Sequence, residues 1–391
     1  MVHMNNIEER AYWVAYSKIK GIGAVLLQRI YKHFGSLSHA WKADFQSLQQ
    51  VEGLGLKIAR NIVERRAKKN PQEIYKEHLK KNPHFWTPID TEYPRLLLEI
   101  PSPPPLLYYS GKVNLNENQG ITPMIGIVGT RYPTQHGRRW TRKISIALAK
   151  KGFTVVSGMA LGIDGEAHNT TINEGGRTIA VVGTGVDKVY PHKHKELHQR
   201  IQQQGLILSE YPSGTAPNRK NFPARNRIIA ALSRAILIME APERSGALIT
   251  ARYGNEFGKD IYTLPNSPDI EESKGCLRLI HDGAGIIVNE NELIEMLGDI
   301  PELYTQKQLS LLDTLNQVST TSNNTVSQTK NLPKLEPDLQ KVFDSLTIDQ
   351  MPIDLIIENT GLSSSQVSGA LLQLELMGLI TQLPGMRYRK N

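Results

Sequence analysis

Between residues 121 and 300 the chain alternates between short apolar runs and longer amphipathic stretches. The runs are MIGIVGT (124–130), FTVVSG (153–158), TIAVVGT (178–184), LILSEY (206–211), AILIMEA (235–241), DIYTLP (260–265) and GIIVN (285–289). Helical patterns such as GRRWTRKISIALAKKG and PARNRIIAALSRA separate most of them. A strand that is apolar throughout is buried on both faces, so the pattern predicts a parallel sheet covered by helices on each side. This is a doubly wound α/β domain. Its ligands belong beyond the C-terminal ends of the strands.

The flanking segments read differently. Residues 1–80 are helical in pattern and contain two similar pieces, IKGIGAVLLQRI (19–30) and VEGLGLKIARNI (51–62). Each sets a Gly-apolar-Gly turn ahead of an amphipathic helix, as in a helix-hairpin-helix pair. Two readings stand open: a phosphate held at the helix starts, or a duplicated packing unit without a ligand. In residues 81–120 the prolines at 101 and 103–105 exclude regular helix or central strand locally, and the segment reads as an extended connector. Residues 303–335 turn rich in Ser, Thr, Asn and Gln and read as a flexible linker. Residues 336–391 show helix, turn at Gly361, Ser-capped helix and hairpin, a winged-helix pattern.

Composition narrows the function. With 39% hydrophobic and 21% charged residues in 391, wholesale disorder is excluded. The one cysteine, Cys276, excludes an intramolecular disulfide and a Cys-based zinc cluster. No membrane span is legible, and Glu8, Glu9 and Arg10 interrupt the stretch where a signal peptide would be apolar, so a soluble cytoplasmic protein is expected. The net charge of +8 is concentrated in residues 1–81, with 15 Lys/Arg against 7 Asp/Glu. Two further windows lack acids: Glu117 to Asp164, holding Arg131, Arg138, Arg139, Arg142, Lys143, Lys150 and Lys151, and Glu210 to Glu240, holding Arg219, Lys220, Arg225, Arg227 and Arg234. A single such run is usually a solvated face. Two that converge on one fold point to an anionic partner.

The strand ends carry the candidate chemistry. VGTR (128–131) places Gly129 at a turn and Arg131 at its mouth. SGMALGID (157–164) sets Ser157, Gly158 and Gly162 ahead of a helix. VGTGVD (182–187) offers another glycine turn, and NFPARNR (221–227) follows a fourth strand. Glycines before a helix start suit an anion. None of these is a Walker A loop or a clean GxGxxG with an acidic ribose partner, so no nucleotide cofactor is expected. Phe222 can stack on a base of any identity, and Arg219, Lys220, Arg225 and Arg227 can meet successive phosphates, with Asn226 among them. The competing reading makes Phe222 core and pairs Arg225 and Arg227 with acids such as Glu240 or Glu210. His168, Asp164, Glu166 and Glu174 gather near one loop, but no metal set and no Ser-His-Asp order emerges.

Taken together, YP (93–94), PPPLLYYSG (103–111), VGTR, SGMALGID, TIAVVGTGVDKVYP (178–191), SEYPSG (209–214), FPARNRIIAALS (222–233), EAPERSGALITA (240–251) and SKGCLRLIHDGA (273–284) resemble the bacterial DNA-processing protein A family, also called Smf. The resemblance covers nearly the whole chain. It implies a helical SAM-like N-terminal domain, an extended Rossmann domain over 81–302 and a winged-helix tail. It implies binding of single-stranded DNA more tightly than duplex, protection of incoming DNA in natural transformation, loading of the recombinase RecA, homodimerisation through the Rossmann domain, and no established enzymatic activity. The family's DNA pocket maps onto Arg131, Gly158, Gly162 and Arg219, the last a position usually filled by Lys. Two departures, Pro265-Asn266 and Gly275-Cys276-Leu277, concern loops near the far edge of the sheet.

Two alternatives compete. Nucleotide phosphoribohydrolases share this kind of sheet but use a PGGxGTxxE run, where this chain has EAPERSGALIT. A winged-helix transcription regulator would read DNA with its second helix, yet no Lys or Arg occurs between Glu358 and Arg387.

Overall fold

The structure is a computed structural model and describes residues 2–298, 337–346, 351–376, 380–383 and 387–390. The linker expected over 303–335 lies outside the described residues. The chain divides into two compact units, Met1–Leu303 and Tyr304–Asn391.

The first unit opens with six helices: α1 (Val2–Ser17), α2 (Ala24–Phe34), α3 (Leu37–Lys42), α4 (Phe45–Gln49), α5 (Leu56–Lys68) and α6 (Pro71–Lys81). The two Gly-apolar-Gly pieces fold as matching turns. Gly21 and Gly53 adopt φ of +96° and +82°, and Gly23 and Gly55 cap α2 and α5. The left-handed region explains the first glycine of each pair, since a β-carbon is strained there.

A nine-stranded sheet follows. Its elements are β1 (Phe85–Trp86), β2 (Leu107–Gly111), α7 (Leu115–Asn118), β3 (Met124–Val128), α8 (Gln135–Lys151), β4 (Thr154–Ser157), α9 (Ile163–Asn173), β5 (Thr178–Val182), α10 (Lys195–Gln204), β6 (Leu206–Ser209), α11 (Asn221–Leu232), β7 (Ala235–Ile238), α12 (Gly246–Glu256), β8 (Asp260–Thr263), α13 (Lys274–His281), β9 (Gly285–Ile286) and α14 (Glu290–Leu297). The strand order is β1-β2-β6-β5-β4-β3-β7-β8-β9. All seven apolar runs are strands of its parallel part. The segment read as an extended connector supplies two strands instead. Past the prolines, β2 pairs antiparallel with β6 in the register Tyr108↔Ser209, and β1 pairs with β2.

The helical segment does not stand apart from the sheet. Ala11, Tyr16, Ile30 and Ile62 share one buried cluster with Phe85, Tyr108, Val182 and Ile207. Burying a shared apolar face fixes α6 against the edge of the sheet.

The second unit contains α15 (Pro337–Ser345), β10 (Met351–Pro352), α16 (Ile353–Thr360), α17 (Ser364–Leu376), β11 (Ile380–Leu383) and β12 (Arg387–Lys390). Its three strands order as β10-β12-β11 around a core of Val342, Ile356, Val367, Leu371 and Leu374. Ser363 and Gln366 cap α17 reciprocally: the Gln366 N–H donates to Ser363 Oγ at 3.4 Å, and the Ser363 N–H donates to Gln366 Oε1 at 3.1 Å. This is the winged-helix arrangement expected from the pattern.

Candidate nucleic-acid interface

Strand order reverses between β3 and β7, because β4 to β6 lie on one side of β3 and β7 to β9 on the other. Loops after these two strands diverge and leave a crevice at the switch point. A cleft of about 610 Å³ occupies it. Arg131 and Tyr132 enter from the β3–α8 loop, Arg219 and Phe222 from the start of α11, Arg244 and Ser245 from the loop before α12, and Tyr190 from the β5–α10 loop. Tyr190 stacks on Phe222 with ring centroids 5.4 Å apart and planes inclined by 30°. Phe222 is half-buried against Gly183, whereas Tyr132 is 79% exposed at the mouth. Arg131, Arg219 and Arg244 are exposed, and none has a carboxylate within 4.0 Å among the described residues.

Two buried acids hold the walls. Glu240 follows β7 and caps α8: its carboxylate accepts from the Thr134 N–H at 2.7 Å and the Thr134 hydroxyl at 2.6 Å, while its backbone carbonyl accepts from the Thr130 N–H at 2.7 Å. The Arg131 loop is thereby pinned at both ends, and a negative charge sits at the N-terminus of a 17-residue helix. Asp164, in the first turn of α9, accepts from the Gly158 N–H at 3.1 Å and the Ala160 N–H at 3.4 Å. Burial pushes its carboxyl upward, and Arg225 and the backbone N–H groups pull it back.

Comparison with known proteins fits this architecture. Residues 84–298 match the family model described as DNA recombination-mediator protein A, and residues 326–386 match the winged helix domain of the same family. The chain is 52% identical to protein Smf of Synechocystis sp., over 98% of this chain and 99% of that one. It is 35% identical to protein Smf of Escherichia coli, over 77% of this chain and 76% of that one. The X-ray structure of DNA processing protein A from Streptococcus pneumoniae superposes with a TM-score of 0.64 at 30% identity, covering 76% of this chain and 99% of that one. The chain belongs to the DNA recombination-mediator protein A family.

In this family member the residues expected on DNA divide into two groups. Arg131, Gly129, Arg219, Phe222, Arg225 and Asn226 line the cleft, and Lys220 is exposed beside it at the start of α11. Arg225 lines it from inside. It is 4% exposed, and its Nη1 donates to the Gly158 carbonyl at 2.7 Å and to the Val181 carbonyl. Burial pushes its guanidinium down to about 10, so it stays charged at neutral pH. Arg227 is 8% exposed and makes a two-pronged ion pair with Glu210, at 2.6 and 2.8 Å. Both arginines are therefore corrected from phosphate ligands to structural ties, because burial and bonds inside the fold hold Arg225 through Nε and Nη1 and Arg227 through all three of its nitrogens. Glu210 is the acid anticipated in the competing reading, and Glu240 is not an arginine partner but a helix cap.

The glycine loop packs against one of the same side chains. Ser157 is buried and donates to the Ile127 carbonyl at 2.5 Å. A β-carbon on Gly158 would lie 2.5 Å from the Arg225 guanidinium. Gly162 has φ of +79°, and a β-carbon there would lie 2.3 Å from the Thr130 carbonyl oxygen. These residues are small so that loops can pack, and Asp164 already takes the N–H groups of Gly158 and Ala160. Asn226 is fixed by donation to the Gly246 carbonyl at 3.2 Å.

Arg244, Tyr132 and Tyr190 escaped the sequence reading. Arg244 follows Glu243 and so falls outside any acid-free window; Tyr132 and Tyr190 each sit next to a motif that drew attention for its glycines. His168, grouped with Asp164 as a conceivable acid–base pair, is fully buried. Its Nδ1 meets Thr178 Oγ1 at 2.6 Å, and burial pushes it down to about 3, so it is a neutral packing residue. No group of three or more metal-binding side chains is present among the described residues, nor is any described helix long and apolar enough to cross a membrane.

Proposed function

We propose that this chain binds single-stranded DNA in the switch-point cleft, without strong sequence preference. The observation that carries this reading is the grouping of three exposed, unpaired arginines, Arg131, Arg219 and Arg244, around the stacked pair Tyr190–Phe222. Arginines meet backbone phosphates, while aromatic faces take bases. In a duplex those base faces are covered by their neighbours, so the aromatic part of the site is usable only by an unpaired strand. Arg131, Arg219, Arg244, Phe222 and Tyr190 are the assigned contacts, with Gly129, Lys220 and Asn226 shaping the rim.

The same reading places the protein in the cytoplasm, where it shields incoming DNA during transformation and passes it to RecA without catalysing a reaction. It acts as a homodimer. The outer edge of the sheet at β9 supports the dimer: Ile286 in β9 and Val288 just after it are 42% and 57% exposed, and among the described residues β9 pairs only with β8. The winged helix serves protein contact rather than groove reading, since α17 carries no Lys or Arg.

The test is a titration of single-stranded and duplex DNA across a salt series, with nucleoside monophosphate hydrolysis assayed on the same preparation. Single strands are expected to bind more tightly. Arg131→Ala, Arg219→Ala and Arg244→Ala should each lower the slope of log K against log salt by about 0.7. Equal duplex affinity at physiological salt, or steady hydrolysis, overturns the reading.

A further inference from the structure

A second groove, of about 680 Å³, lies where α6 meets the end of β6. Its cations are Lys18 at the end of α1 and Lys80 and Lys81 at the end of α6. Two acids also line it, and each is ion-paired to a cation outside the three lysines. Glu77 pairs with Lys69 at 3.2 Å, and Glu210 is held by Arg227 at 2.6 Å. His78, at its floor, is buried and pushed down to about 4 by burial and by Lys18, so it is uncharged at neutral pH. The three lysines have no carboxylate within 4.0 Å among the described residues. They are not needed to finish α6 either, because the backbone and side-chain N–H groups of Asn82 both donate to the His78 carbonyl, at 2.9 and 3.3 Å. Partial burial lowers the affinity of Lys18 for a proton; Glu77 raises it, and Arg65 and Lys69 lower it again. Three lysines gathered on one groove, each without a carboxylate in ion-pair range, are matched by a bound polyanion.

The groove is tied to the DNA cleft by covalent chain. Ser213, on its rim, donates its N–H to Asn82 Oδ1 at 2.7 Å, and the loop then runs, exposed except for the half-buried Thr215, from Gly214 to Arg219 and Lys220. Arg219 lies six positions beyond Ser213, a span of at most about 22 Å. We propose that the groove lined by Lys18, Lys80 and Lys81 is a second phosphate-binding stretch, holding the backbone of the same DNA strand after it leaves the switch-point cleft. The proposal rests on the cleft being the primary site. The strand crosses the 213–219 loop, and Ser213 lines the groove at that crossing.

The experiment uses the full chain, two fluorescent oligothymidylates of about four and about twenty nucleotides, and near-physiological salt, where screening over about 8 Å confines the effect of a charge to its own groove. The variant is Lys80→Ala with Lys81→Ala, checked for an unchanged melting temperature; Lys18→Ala is a second, independent variant. The double variant should bind the long oligonucleotide about tenfold more weakly, with a salt slope lower by about 1.4, and bind the short one as the unmodified protein does. Unchanged affinity and slope for the long oligonucleotide overturn the proposal. So does loss of binding to a polyglutamate peptide with DNA binding intact, which would assign the groove to an acidic protein. If Arg131→Ala leaves the short oligonucleotide bound with an unaltered salt slope, the fault lies with the primary cleft, and that reading falls first.

Discussion

Replacing Arg225 by Met separates a structural arginine from a phosphate ligand. The new side chain keeps much of the volume and loses the charge. Two charge-assisted hydrogen bonds disappear, to the carbonyls of Gly158 and Val181, leaving both acceptors buried. Asp164 also loses the positive charge that offsets its burial. Removing one member of a buried charged network costs about 3–5 kcal/mol, because the remaining groups cannot recover their hydration. For a unit of this size the melting temperature should fall by about 5–8 °C. Calorimetry or a denaturant midpoint measures the loss. The same preparation, titrated with single-stranded DNA below its melting transition, should keep a salt slope close to that of the unmodified protein. Arg131→Ala should do the opposite, melting normally and losing about 0.7 from the slope. An Arg225→Met protein that melts within about 2 °C of the parent and binds DNA with a reduced slope would refute this assignment.

Three further outcomes follow from the same geometry. Phe222→Ala should weaken single-strand binding by about 1–3 kcal/mol with little change in salt slope, read by anisotropy across a salt series, since stacking releases no counterion. Gly158→Ala should destabilise the fold by about 1–3 kcal/mol in urea unfolding, because its methyl meets the Arg225 guanidinium. Acid should destabilise the first unit. His78 and His168 are pushed down to about 4 and about 3, below the ordinary value of 6.5, so the unfolded chain binds protons first. Their contribution is complete above pH 6.5 and is lost as pH falls toward 4, at about 1.4 kcal/mol per unit for each group, and His168→Gln should flatten that decline in urea midpoints.

Much of the sheet was legible because each central strand is an uninterrupted apolar run, and a strand buried on two faces admits little else. β1 and β2 were not, because the prolines at 103–105 dominate the composition of the segment while the pairing residues begin just beyond them at Leu107. The cleft was half legible. Charge counts located Arg131 and Arg219 but could not say which arginines point outward. A signal for Arg225 and Arg227 did exist. The run from Ile228 to Leu232 is apolar at every position, and all five residues are buried. A helix apolar on all sides is enclosed, so polar residues in its adjoining turn are drawn inward with it. Arg244 carried no comparable signal, since its neighbour Glu243 cancels its charge in sequence although the cleft lining includes only the arginine.

The closed glycine loop bears on what kind of ligand the cleft can take. A site built for a mononucleotide spends the N–H groups at a glycine-rich helix start on the ligand's terminal phosphate. Here those of Gly158 and Ala160 are taken by the carboxyl group of Asp164, from the protein itself. The remaining attraction for phosphate lies in side chains on exposed loops, Arg131, Arg219 and Arg244, which approach the cleft from three separate elements. Dispersed cations of this kind grip a single phosphate poorly, because a compact anion cannot reach all three at once. A polymer can, since its phosphates are spaced along a backbone and each is a separate counterion-releasing contact. Between those cations, Tyr190 and Phe222 present a face to whatever base the backbone brings past. The closure by Asp164 therefore favours a strand over a nucleotide, and an Asp164→Ala variant, which frees the N–H groups of Gly158 and Ala160, should gain more affinity for inorganic phosphate than for single-stranded DNA when both are titrated on one preparation.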